Sequence, residues 1–169
     1  MVLLTEGLLI WMHLVAASIW VGGSIFLGIV LAPMLKSITG TLEDRIALMI
    51  KIGRRFNKIA MPSFMILIIT GIYNSRAFLE EPRLLFETNY GIILLFKIIL
   101  VIATLITYII HIRILNAETE KTLSAGNAES IYVQSIRSKI IHLGRITVIL
   151  SVTILLLAAL LDSGGILVS

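Results

Sequence analysis

The sequence predicts an all-α integral membrane protein, an antiparallel bundle of four transmembrane helices. Three observations carry that prediction. Hydrophobic residues make up 58% of the chain and charged residues only 14%, against about 45–50% and about 25% in soluble domains. Mean hydropathy is +1.03. Four apolar runs are each close to the ~20 helical residues that cross a bilayer. Lipid offers no partner to a free backbone N–H or C=O, so spans without a closed barrel must be helical. A length of 169 residues fits one domain.

The spans fall at about residues 8–35, 59–78, 90–112 and 146–161. The first carries no charge, and the N-terminus lacks the basic region of a cleavable signal peptide, so it reads as a retained span. Two short amphipathic segments, about 41–56 and 117–138, lie between spans. Thr41 is placed to cap the first of these, with Glu43 and Asp44 in its first turn, where the helix dipole favours acids. Gly126-Asn127 breaks the second.

Charge sets an orientation. Lys36, Arg45, Lys51, Arg54, Arg55 and Lys58 lie between spans one and two. Arg113, Lys121, Arg137, Lys139 and Arg145 lie between spans three and four. The connection between spans two and three has Arg76 and Arg83 against Glu80, Glu81 and Glu87. The positive-inside rule puts both basic segments in the cytoplasm and both termini outside. The net charge of +4 therefore reports topology and lipid contact, not a nucleic-acid partner. With no cysteine, disulfides, iron–sulfur clusters and thiolate sites are excluded. No phosphate loop, zincin motif, nucleophile elbow or carboxylate pair occurs, so no catalytic residue is assigned.

Ionisable groups at membrane depth mark candidate sites. In the first span His13 follows Trp11 and Met12. Trp20, seven residues on, returns to the same helix face, and Gly22-Gly23 bares backbone for a helix or a flat ligand. His13 reads either as a ligand or as an interfacial residue. In the third span Lys97, Thr104, Tyr108 and His111 form one stripe, which should face the interior. Lys97 either snorkels or partners His13 or a ligand carboxylate. His111 and His142 lie at matching depth on spans three and four, as in two-histidine haem sites. Interfacial histidines are the alternative, and Arg145 is placed to meet a propionate. Ser63, Thr70 and Asn74 share one face of span two, a pattern more typical of helix glue. Met61 and Met65 stand four apart, an arrangement that suits soft Cu(I). Among six methionines in an apolar chain, core filling is the expected role.

His13, Trp20 and Gly22-Gly23, with Arg55-Phe56, Thr70-Gly71, Tyr90-Gly91 and Lys97, resemble copper-resistance protein D (CopD) and related four-helix membrane haem proteins. The resemblance reaches to about Leu115. The histidine, the tryptophan seven later and the third-span lysine are also similar to the HemJ-type membrane protoporphyrinogen oxidase. That family has an arginine after the proline closing the first helix, where this chain has Met34 after Pro33. The resemblance implies a prokaryotic multi-pass membrane protein binding haem b at His13 and Lys97, in electron transfer or porphyrin redox chemistry. An oxidoreductase activity stays open. A single haem in the outer half of the bundle is expected, because neighbouring helices about 8–10 Å apart leave little room for a second macrocycle. Copper handling through His13, Met12 and the Met61/Met65 pair is the alternative, and a structural subunit of a larger complex the third reading. Beyond lipid, a membrane or extracytoplasmic redox partner and a homo-oligomer are compatible with the sequence.

Overall fold

The computed structural model describes residues 2–114 and 131–163. All described secondary structure is helical, and four helices are long and apolar enough to cross a membrane. The first, α1, runs over Leu3–Ile38. Its turns widen to π geometry at Ser18–Gly22 and again at Phe26–Leu31. Such bulges shift the register of the side chains that follow.

The turn out of α1 is short. Thr39 leaves helical geometry, and its N–H and hydroxyl both donate to the Leu35 carbonyl, at 3.2 and 2.6 Å. Thr41 is extended and accepts from the Asp44 N–H at 3.1 Å, the expected N-cap. From that cap α2 spans Leu42–Asn74 as one helix of 33 residues, passing through Pro62. At 1.5 Å per residue it is about 50 Å long, well beyond a ~30 Å hydrocarbon core. Segment 41–56 is therefore the first part of α2 and not a separate amphipathic helix. Its basic residues lie on the N-terminal part of this helix.

The second span closes at Asn74, short of the expected 78. Two short helices follow, α3 (Arg76–Glu80) and α4 (Leu84–Glu87). Phe78 stacks on Tyr90 at 5.3 Å and 8°. Gly91 explains the tight return: a Cβ there would overlap the Leu84 backbone. Its N–H donates to the Thr88 hydroxyl at 2.9 Å. The third spanning helix, α5, is Asn89–Ile114, and the fourth, α6, is Ile131–Asp162. Of the expected segment 117–138, residues 117–130 lie outside the described residues, and the rest begins α6. His142 and Arg145 thus sit within a long helix and not at its entry.

The helices close an antiparallel bundle in which α5 packs along α6, and α1 packs on both α2 and α6. Its centre is Trp20, Val21, Ala60 and Phe64, joined by Phe56, Leu105 and Tyr108. Small hydroxyl residues line the remaining contacts. Ser63, Thr70, Thr104 and Ser151 are buried, and the first three bond carbonyls of their own helices. In lipid, where apolar side chains gain nothing by leaving the solvent, such small residues let helices approach. The large exposed residues are mostly Ile and Leu, as a lipid-facing surface requires.

Candidate functional site

The first and second spanning helices bring His13 and Thr70 together. His13 Nδ1 lies 2.6 Å from Thr70 Oγ1, joining α1 to α2. Gly71 lies beneath the ring: a Cβ added there would stand 3.9 Å from His13 Cε1. Lys97 is half-buried on α5. Thr70, read from sequence as helix glue, is the direct partner of the histidine.

About 10 Å deeper, seven residues along α1, Trp20 occupies the bundle centre. Its ring lies 4.4 Å from Phe64 and 4.9 Å, edge-on, from Tyr108. Its Nε1–H donates to Ser151 Oγ at 3.2 Å. The Tyr108 hydroxyl donates to Asn57 Oδ1. The Gly22-Gly23 notch has a structural use: a Cβ on Gly23 would overlap the Phe56 ring, whereas one on Gly22 meets nothing within 4 Å. The notch at Gly23 admits a helix, not a flat ligand.

The stripe on α5 faces inward as expected. Thr104 is fully buried, and Lys97, Tyr108 and His111 are half-buried. On α6, His142 is exposed and its Nδ1 lies 2.8 Å from the Ser138 carbonyl of its own helix. Arg145 is exposed. On α2, Ser63 and Thr70 are buried but Asn74 is exposed at the helix end.

The methionine pair departs from the expected core-filling role. Met61 and Met65 are 53% and 49% exposed, so neither fills the core. Both lie on a shallow, open depression of the α2 surface with Asn57, Lys58 and Pro62. A smaller one, about 260 Å³, lies across α1 and α2 between Gly23, Phe26, Ile52 and Phe56.

A haem held at His13 would need a slot for a flat macrocycle beside the imidazole. Neither depression is lined by His13, Lys97, His111 or His142. The interior below His13 is filled by the stacked rings of Trp20, Phe64 and Tyr108. The space directly below His13 is therefore taken by side chains. Among the described residues, no three His, Cys, Asp or Glu side chains cluster as a metal site.

Four inverted helices with a polar interior stripe define a multi-pass helical membrane protein. Residues 50–161 match the family model of copper resistance protein D, about two-thirds of the chain, and the protein belongs to that family. The match begins inside α2 and runs through α6, beyond the Leu115 limit of the resemblance read from sequence. It contains Arg55-Phe56, Thr70-Gly71, Tyr90-Gly91 and Lys97, and it leaves out the first helix with His13 and Trp20. No curated protein and no solved structure matches the chain.

Proposed function

We propose that this protein handles copper ions within the membrane, as cargo bound by thioether and imidazole donors. Family membership supplies the copper. The observation that carries the reading is the Met61/Met65 pair, which leaves the core and lies on one depression beside Pro62. Soft thioether sulfur selects Cu(I), and a pair at i and i+4 puts two such donors on one helix face. Pro62 lacks an N–H, so the Lys58 carbonyl loses its intrahelical partner next to the same depression.

His13 supplies a second station, nearer the outer surface. It meets α2 at Thr70, five to nine residues beyond the methionines, or about 8–14 Å along the axis. Two separate stations of low coordination suit passage of an ion better than permanent storage. The basic start of α2 supports a cytoplasmic location for that end, with both termini outside. The ion then meets His13 in the outer half of the bundle.

Copper tolerance in cells tests this directly. Met61→Leu with Met65→Leu keeps side-chain volume and removes both sulfurs. Cells carrying the double variant, at equal protein level, should change in copper accumulation relative to wild type. Unchanged accumulation alongside a clear effect of deleting the protein removes the methionines from the function.

A further inference from the structure

The His13–Thr70 contact has a direction, set by counting hydrogens. A hydroxyl carries one proton and two acceptor lone pairs. Thr70 Oγ1 lies 2.6 Å from the Ile66 carbonyl as well as 2.6 Å from His13 Nδ1. A carbonyl only accepts, so the hydroxyl proton goes to Ile66 and Oγ1 accepts from the ring. Nδ1 then carries the hydrogen. A neutral imidazole has one N–H, which leaves Nε2 with its lone pair.

The opposite arrangement is costly. Were the hydroxyl to donate to Nδ1, the ring proton would move to Nε2. Among the described residues no acceptor bonds Nε2, so that N–H would have no partner within the protein, whereas Nδ1–H has Thr70 Oγ1. Thr70 is itself buried, so water does not compete for its hydroxyl.

We propose that Thr70 is a positioning residue that holds His13 as the Nδ1–H tautomer, presenting Nε2 as the ligand atom inside the bundle. The tautomer follows from the hydrogen bonds alone; only its use rests on the copper reading. Metal-bound histidines commonly donate their other N–H in this way, which orients the ring and raises its basicity.

The test is nitrogen NMR of the full chain in nanodiscs, labelled with 15N-histidine, at a pH where the rings are neutral. His111→Gln and His142→Gln assign the three signals. His142, whose Nδ1 donates to the Ser138 carbonyl, is an internal reference for the same tautomer. His13 should be Nδ1–H in wild type and in Thr70→Ser. In Thr70→Val, which keeps shape but not the hydroxyl, the preference should fall about tenfold towards Nε2–H. Silver(I), as the probe for a soft univalent ion, should bind at this station about 10–100-fold more weakly in Thr70→Val, with Thr70→Ser near wild type. A wild-type His13 that is mainly Nε2–H overturns the proposal, as does an unchanged tautomer in Thr70→Val. A shifted tautomer with silver binding unchanged keeps Thr70 as the positioning residue and removes His13 from copper handling.

Discussion

Trp20 and Ser151 stand 131 positions apart, yet the indole Nε1–H donates to the serine hydroxyl at 3.2 Å in the buried centre of the bundle. This bond ties the first spanning helix to the last. It also orients the ring that fills the space below His13. Removing the hydroxyl leaves a buried donor without its acceptor, which costs about 1–3 kcal/mol. Ser151→Ala should therefore destabilise the protein by that amount in reversible unfolding from bicelles. Trp20→Ala, which also opens a cavity, should cost about 3–5 kcal/mol. In a double-mutant cycle the two should be non-additive; strict additivity would show that the bond contributes nothing.

Gly91 and Gly22 respond oppositely to an added side chain. A Cβ at Gly91 overlaps the backbone of Leu84, which cannot swing aside as a side chain can. Gly91→Ala should cost at least about 1–3 kcal/mol, the usual penalty of overpacking. Gly22 has open space around it, and Ala is the better helix former by about 0.5–1 kcal/mol. Gly22→Ala should thus be neutral or stabilising in the same unfolding assay. Equal destabilisation at both sites would contradict the packing described for the α4–α5 return.

A surface ion pair joins the start of α1 to the start of α3. Arg76 Nη2 donates to Glu6 Oε1 at 3.3 Å, and its guanidinium lies over the Tyr73 ring at 4.5 Å. Both partners of the pair are exposed, and such pairs contribute about 0–1 kcal/mol. Glu6→Gln should change the unfolding midpoint only slightly, and less at high salt.

Topology has its own measurement. In intact cells, a membrane-impermeant thiol reagent should label Glu80→Cys but not Lys51→Cys. This chain has no native cysteine to interfere. After the cells are opened both should react. Labelling of Lys51→Cys from outside would invert the bundle and place His13 in the cytoplasmic half.

The sequence made the four helices legible because apolar runs and basic connections are one-dimensional signals. It misplaced the second span's limits for a physical reason. Hydropathy falls at Lys51, Arg54 and Arg55, but the backbone of α2 continues through them as unbroken helix. The inward stripe from Lys97 to His111 was readable because polar groups in an Ile/Leu helix have nowhere else to go. The methionines were not readable. Lipid is as apolar as the bundle core, so composition cannot say which of the two Met61 and Met65 face. Thr70, Ser151 and Asn57 were missed as partners because each is an ordinary helix residue until its neighbour helix supplies His13, Trp20 or Tyr108. Of these, Thr70 alone had a sequence signal, its place on the polar face of span two.

Copper as cargo is the central claim, and metal content of the purified protein tests it most directly. The full chain, taken from copper-supplemented cells into nanodiscs under reducing conditions, should retain Cu(I) in proportion to protein and show no Soret band. Met61→Leu with Met65→Leu should lose that copper while keeping the helical circular-dichroism spectrum. Protein that carries no copper and shows a Soret band abolished by His13→Ala would contradict the account and return the site to haem.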